Sequence, residues 1–587
     1  MLYVLNKFEG QILDDELATK ICGETIRYGL YRPMKKLLSV QTKWATSDQG
    51  EFSETLLTDD EVNLMLSNNP QSHKEAGFSK GWPSRFATIY DLTKELGLAY
   101  FNVGEPIVIS PLCKHLLQSL DVNIDEGTGL VSYEIVHPEY EQQVFTQALA
   151  KSQRHNPFVR VLNDNIPLIL LLQTIQKLNA DPEQNGAGIS RRELPLLIFW
   201  KDNDAEALYQ RIARLRKEYG YTPSDEVICD ICLEEIMEGN FKKFKTESIM
   251  DEYPDEFIRK MRMTGLISLR GAGRYIDINK NESDKIKYIL THYANYSHFN
   301  NERDYFDYMA ALDENLISIE SDTPSLSESE ELLSNWLSTY KWNTIKQELT
   351  NLATRKPSND AILKFLAAPV RLEFLTALAI KSKIPDVRVI PNYACDDTGL
   401  PTSTAGGNKG DIECFEHQYG VLVEVTMATG RTQTMMEIWP IERHLTDFQK
   451  KQQSQCIFVA PSIYADSKRQ IKYVSDESKG VLKIRPYDIT ELVTFLENSH
   501  GLYEYKIASL FDSPKMVSYA DQYMKLKRGI DILSLTRALQ GEFGEDYGSM
   551  GAREWYVVTR EYVERQTMRN NIPDDEPVSW LAAEDLA

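Results

Sequence analysis

Seven cysteines in 587 residues, mostly scattered, are too few for a disulfide framework and fit a reducing compartment. No run approaches the roughly 20 apolar residues that a membrane span needs. The first residues, MLYVLNKFEGQILDDE, lack a basic segment and a small-residue cleavage site, so no export signal is expected and a cytoplasmic location is. Cys229 and Cys232 have C-x-x-C spacing in EVICDICLEEIM. No second pair or nearby histidine completes a four-ligand zinc site, which leaves an amphipathic helix with two small buried thiols. The loop GGNKG, Gly406–Gly410, lacks the Lys-Ser/Thr ending and the strand-to-helix setting of a phosphate-binding loop, so no nucleotide is implied.

Positive charge is also scarce: 65 Lys and Arg stand against 87 Asp and Glu, a net charge of −22. On average that disfavours a nucleic-acid partner. The acidic excess is concentrated, however, in SDTPSLSESEELL (Ser321–Leu333) and in the tail NIPDDEPVSWLAAEDLA. Basic residues gather in RLRKEYG around Arg214–Lys217, in FKKFK around Lys242–Lys245 and in RKMR at Arg259–Arg262. Only the surface that faces DNA must be basic, so the overall sign leaves DNA binding open.

The length exceeds what one hydrophobic core serves, and two to four domains are expected. Two stretches share a plan. Pro83–Pro111 reads as a helix, Gly97-Leu98, then short apolar strands around Val103-Gly104-Glu105. Pro254–Asn279 repeats it, with Gly265-Leu266 and a turn at Gly271-Ala272-Gly273. A helix followed by a two-stranded wing is the second half of a winged helix. Further helices are expected at Pro167–Asn179 and in SRRELPLLIFW, where Ser190 and Glu193 suit a capping box. Arg259, Lys260, Arg262, Arg270 and Arg274 would then face DNA, although the same residues also suit a solvated face and winged helices also bind protein.

Residues 300–360 turn helical, acidic and serine-rich, the composition of a connector. Beyond them helices and strands alternate, as in a mixed sheet flanked by helices. There the hairpin GDIECFEHQYGVLVEVT places Asp411, Glu413 and Phe415 on one face with Gly420, Leu422 and Glu424, if its turn centres on His417-Gln418. Ile412, Cys414, Val421, Val423 and Val425 form the opposite, core face. Directly opposed Cβ atoms lie about 5 Å apart. Two carboxylates that close repel unless a cation separates them, and a hard divalent ion such as Mg²⁺ suits oxygen ligands. The alternative is a hairpin whose two acids splay into solvent.

GNKGDIECF, VLVEVT and TQTMMEIWPIERHL together resemble the nuclease core of the AlwI-type family of type IIS restriction endonucleases, which includes strand-nicking members and large subunits of heterodimeric enzymes. The resemblance extends to VRLEFLTALAI, RHNPFVRVL at Arg154 and TGLISLRG. It implies a multidomain α+β and α/β protein: winged-helix recognition domains at 1–135 and 136–295, a helical acidic linker at 296–360, and a PD-(D/E)xK-type nuclease domain with a mixed sheet and C-terminal helices at 361–587. Asp411 and Glu424 would bind Mg²⁺ with Val425 beside them, Glu437 and His444 would be further active-site groups, and Glu373 an accessory. Gly410 replaces the usual proline and Thr426 the usual lysine. Pro385-Asp386 is a literal Pro-Asp dipeptide, but no acid faces it.

The implied reaction is hydrolysis of double-stranded DNA at a fixed offset from an asymmetric site, leaving a 5′-phosphate and a 3′-hydroxyl. A single nuclease domain would require a homodimer, a small second subunit or two events to cut both strands, and a strand-nicking enzyme is the alternative. The family also implies a companion DNA methyltransferase and a prokaryotic host. Thr426 is the one feature that favours a binding-only protein.

Overall fold

Helix boundaries in the N-terminal region follow the capping chemistry of the sequence. The computed structural model describes residues 1–31, 56–68, 76–124, 129, 131–186, 188–240, 244–406, 409–416, 419–499, 501–503, 511, 513–526, 531–545 and 551–569. The 417–418 turn, most of FKKFK and the acidic tail lie outside them. Asp14 caps helix Asp15–Arg27 by accepting from the Leu17 N–H at 2.7 Å, and Asp15 and Glu16 occupy its first turn. Helix Trp82–Glu95 precedes a short antiparallel ladder, Ala99 with Ile109 and Tyr100 with Val108. Within this core the Phe86 ring meets Tyr90 at a tilt and Phe101 edge-on.

The second module has the same order of helix and hairpin with a fuller sheet. Strands Ile267–Arg270 and Tyr275–Ile278 pair after helix Tyr253–Arg262, and Ile189–Ser190 adds a third strand. The expected apolar helix spans Pro167–Ala180. Ser190 and Glu193 make the reciprocal bonds of a capping box: the Ser190 N–H donates to Glu193 Oε2 at 2.8 Å and the Glu193 N–H to Ser190 Oγ at 3.2 Å. The buried Glu193 carboxylate also receives Arg216, at 2.7 Å.

Residues 300–360, expected as a helical acidic connector, are helical and pack into the neighbouring cores. Helix Glu302–Ala310 belongs to the first core, where Tyr305 and Met309 are fully buried. It approaches so closely that a Cβ on Gly97, at φ +70°, would lie 2.5 Å from Met309 Cβ. Helix Leu326–Thr339 opens on a Ser325/Glu328 capping box and lays Trp336 edge-on against Phe374. Helix Trp342–Ala353 packs on helices Ala368–Lys383 and Ile489–Asn498. Most acidic residues of this stretch lie outward, Glu348 being a buried exception, over an apolar stripe that includes Leu333, Ile345, Leu349 and Leu352.

The site is built on a five-stranded mixed sheet in the order Ile484–Asp488, Ser454–Ala460, Tyr419–Val425, Ile412–Glu416, Arg388–Pro391. The first three strands run parallel, linked by helices Gly430–Gln449 and Ala465–Glu477, and the last two pairings are antiparallel. Both faces are covered. Ile438, Ile441, Leu445 and Phe448 lie over Leu422 and Phe458, and helix Ala368–Lys383, buried from Arg371 to Ile380, contacts the sheet as well. Leu422, on the acid-bearing side, is therefore as buried as Val421 and Val423 behind it. A two-stranded ladder, Tyr393–Cys395 with Pro401–Ala405, stands apart from this sheet.

The chain forms two compact units, Met1–Leu502 and Tyr503–Ala587. In the second, helices Pro514–Leu526, Ile532–Phe543 and Ala552–Arg569 surround their own core of Met516, Leu535, Leu539, Phe543 and Trp555. No helix among the described residues is long and apolar enough to cross a membrane.

Candidate active site

The hairpin register pairs Ile412 with Val423 and Glu416 with Tyr419, so Asp411 and Glu424 form the next pair outward. Asp411 is fixed from two directions. Its Oδ2 accepts from the Val425 N–H at 2.7 Å, and its carbonyl accepts from the Asn392 N–H at 2.9 Å. The Asn392 side chain donates to the Gly410 carbonyl at 2.7 Å. Gly410 has a steric reason to replace proline: a Cβ there would lie 2.3 Å from Leu422 Cδ1 and 2.8 Å from Glu424 Oε1.

Glu424 is 6% exposed, and its Oε1 meets His444 Nδ1 at 3.0 Å. His444 lies on helix Gly430–Gln449, seven residues after Glu437 and hence on the same side of it. At the lysine position, Thr426 Oγ1 donates to Glu437 Oε1 at 2.7 Å and accepts from the Ala428 N–H at 2.9 Å. Its own N–H donates to the Val459 carbonyl at 2.9 Å. Glu373, on the buried helix, is 4% exposed, and its Oε2 accepts from the Ala405 N–H at 3.1 Å.

The structure thus draws Asp411, Glu424, Glu437, His444 and Glu373 to one place. Burial pushes the Asp411 carboxyl well above the ordinary carboxylate range, and the charges of Glu373, Glu424 and Glu437 add to the shift against the single Val425 N–H. Glu373 is pushed up to about 8, chiefly by burial, with the Ala405 N–H opposing and the Glu424 charge adding. Among the described residues no three His, Cys, Asp or Glu side chains are gathered tightly enough to hold a metal alone. The donors are nonetheless hard oxygens, and Val425 can add only its main-chain carbonyl. Such a set suits a divalent ion that keeps water or phosphate oxygens in its remaining positions.

The five basic residues do not join this cluster; Arg262 and Arg270 turn inward, while Arg259 stays exposed beside a bond to the protein's own backbone. Arg259 donates to the Lys364 carbonyl at 2.6 Å over the Phe365 ring. Arg262, 6% exposed, donates to the Pro401 carbonyl at 2.7 Å. Arg270 bridges Asp277 at 2.9 Å and Asp397 at 2.8 Å. The contacts of Arg262 and Arg270 take those two out of the expected DNA-facing row. Lys260, paired with Glu256 at 2.9 Å, and Arg274 keep exposed positions.

Asn392, Asp396 and Asp397 went unremarked in the sequence. The signal for the last two was the turn-forming run Asp-Asp-Thr-Gly: Asp396 Oδ1 accepts from the Thr398 N–H at 2.9 Å and the Leu400 N–H at 3.1 Å. Cys229 and Cys232 are buried thiols in a helical turn, and burial raises both.

Acids converging at the mouth of a hairpin suit a hydrolase acting on phosphodiesters, and the family to which the chain is similar agrees: this is a restriction endonuclease, a site-specific deoxyribonuclease. The AlwI restriction endonuclease family matches residues 94–359 and 330–495, most of the chain, and the protein belongs to that family. No curated protein matches it. Among solved structures, the chain is similar to the small subunit (R.BspD6I2) of the heterodimeric restriction endonuclease R.BspD6I, at 20% identity over 37% of this chain and 98% of that one, with a TM-score of 0.23. It is also similar to the restriction endonuclease FokI bound to DNA, at 13% identity over 84% of this chain and 68% of that one, with a TM-score of 0.20.

Proposed function

We propose that the protein hydrolyses DNA phosphodiester bonds at a fixed offset from an asymmetric site with Mg²⁺, leaving a 5′-phosphate and a 3′-hydroxyl. The observation that carries this reading is the facing pair Asp411 and Glu424, held beside Glu373, Glu437 and His444. Asp411, Glu424 and the Val425 carbonyl would hold the ion. When bound, it supplies polarisation of the scissile phosphate and a water acidic enough to lose a proton near neutrality.

The protein's own groups divide the remaining work. The Val425 N–H fixes one oxygen of Asp411, which orients the carboxylate. Glu437, anchored by Thr426, takes a proton from the attacking water in the place where lysine usually stands. His444 steadies Glu424 through Nδ1 and lends positive charge when protonated. On this reading, 361–587 is a PD-(D/E)xK-type nuclease domain with C-terminal helices, and the two helix-and-hairpin modules within 1–135 and 136–295 are winged helices that read DNA.

A second reading, a strand-nicking enzyme or the large subunit of a heterodimer, is favoured by one observation: the described residues contain this acid cluster once. Plasmid digestion with Mg²⁺, wild type against Asp411→Ala, tests both. Fixed-position cuts lost in the variant support the nuclease, and nicked circles alone support the second reading. Specific DNA retention without cleavage under any divalent ion would leave a binding-only protein.

A further inference from the structure

The contacts that remove Arg262 and Arg270 from a DNA-facing surface converge on one small structure. Asp397 receives Arg270 Nη2 at 2.8 Å and Ser268 Oγ at 3.0 Å, and its N–H donates to Asn279 Oδ1 at 3.1 Å. Two residues away, Asn281 Nδ2 donates to the Cys395 carbonyl at 3.3 Å, and Arg262 Nη2 to the Pro401 carbonyl at 2.7 Å. Cys395 and Pro401 are cross-strand partners in the two-stranded ladder. The module made of helix Tyr253–Arg262 and hairpin Ile267–Ile278 therefore grips the ladder at its loop and at the base of both strands. From Pro401 the strand runs to Ala405, about 13 Å at the usual rise. There the Ala405 N–H holds Glu373 Oε2, beside Asp411 and Glu424.

We propose that Asp397, clamped by Arg270 and Ser268, is a positioning residue for the nuclease: it sets the ladder whose Ala405 N–H places Glu373 in the acid cluster. This rests on the nuclease reading of that cluster. Three features favour a positioning role over a plain contact between parts of the chain. The grip is made of directional hydrogen bonds and ion pairs, which fix angle and register where apolar packing would permit sliding. It acts on a ladder outside the five-stranded sheet that is tied to it at the Tyr393 end, one residue beyond strand Arg388–Pro391, so the clamp is what holds the opposite end, at Cys395 and Pro401. Its far end carries a bond to one acid of the site. A misplacement of about 1 Å at a reacting centre costs on the order of 100-fold in rate, so an anchor this remote matters to turnover without touching DNA.

The test uses the full chain and a DNA fragment carrying the site mapped by the plasmid digestion. Single-turnover cleavage with Mg²⁺ is measured beside DNA affinity in EDTA for Asp397→Asn, Arg270→Ala, Glu373→Gln and the double variant Asp397→Asn/Glu373→Gln. The expected result is a cleavage rate lowered about tenfold or more in Asp397→Asn and Arg270→Ala, with Kd for DNA within about twofold of wild type. In the Glu373→Gln background, Asp397→Asn should add little further loss, because both changes act through one group. Full multiplication of the two losses would overturn the proposal. So would a Kd weakened about tenfold in Arg270→Ala at an unchanged rate, the behaviour of a phosphate contact. If Asp397→Asn fails to fold, Ser268→Ala removes a single bond of the clamp, and an unchanged rate there is equally fatal. Asp411→Asn separates the two readings: wild-type cleavage by that variant discards the acid cluster itself. A dead Asp411→Asn beside a wild-type Asp397→Asn discards only the positioning role.

Discussion

On the proposed reading, Thr426 is an uncharged side chain that serves where lysine usually stands. Its hydroxyl accepts from the Ala428 N–H and donates to Glu437, so the Glu437 carboxylate is aimed by a bond that is itself anchored to the backbone. Thr426→Val keeps the shape and removes that bond; cleavage should fall about tenfold, less than the roughly 10²–10⁴-fold that loss of the acid-base group itself costs, while Thr426→Ser stays near wild type. Equal rates for the valine and serine variants in single-turnover cleavage would discard the role. Ionisation gives a second residue-scale prediction. The folded, metal-free protein holds a proton on Glu373 up to about pH 8, whereas an unfolded glutamate releases it near 4.5. Folding thus takes up protons in that window, so stability falls as pH rises through it, by up to about 1.4 kcal/mol per pH unit for one group. Glu373→Gln should melt above wild type at pH 8 and together with it near pH 4; a lower melting temperature for the variant at pH 8 contradicts the account. The facing of Asp411 and Glu424 was legible because hairpin symmetry is local, whereas Glu437 and His444 came only with the family resemblance. Asn392 and Ala405 were not legible, since they act through backbone atoms supplied by distant strands.

Elements show where composition misled. RLRKEYG reads as a basic surface, but residues two apart on a helix point about 200° apart. Arg214 is accordingly exposed, while Arg216 is buried on Glu193 with further bonds to the Gly188 carbonyl at 2.6 Å and Glu193 Oε2 at 2.8 Å. Removing one partner of such a pair leaves a buried charge uncompensated, at a cost of about 3–5 kcal/mol. Arg216→Ala should lower the urea midpoint by a corresponding amount, whereas Arg214→Ala should leave it within about 0.5 kcal/mol of wild type; similar midpoints for the two would refute the assignment. The same geometry explains the supposed connector. In Leu326–Thr339 the apolar positions Leu333, Trp336 and Tyr340 just beyond follow helical spacing, and the serines and glutamates between them mask it in any count of residue types. Basic clusters and acidic runs are properties of sequence, but faces are properties of elements.

At the scale of the molecule, the mixed sheet and its covering helices were foreseeable from alternating patterns, whereas the clamp between hairpin Ile267–Ile278 and the Tyr393–Ala405 ladder was not. Its contacts join residues about 130 positions apart, as in the 127-residue separation of Arg270 and Asp397, and no local pattern encodes such a pairing. The same scale bears on strand number. The acid cluster occurs once among the described residues, and hydrolysis of one phosphodiester at one centre leaves the other strand intact. A chain acting alone should therefore convert supercoiled plasmid to nicked circles at a rate first-order in protein. Linear product should then form only through the nicked circle, by a second event at the same centre, or when a second centre arrives from another copy of this chain or from a smaller nuclease subunit. Following the three plasmid forms over time at several protein concentrations separates these cases. Nicked circles that persist at all concentrations mean that this chain cuts one strand and depends on a different subunit for the other. A linearisation rate that grows with the square of protein concentration means that two copies meet on the DNA. Linear product formed without a nicked intermediate, at a rate first-order in dilute protein, would contradict the single-centre account and require either a preformed dimer or one centre that turns to both strands during a single encounter.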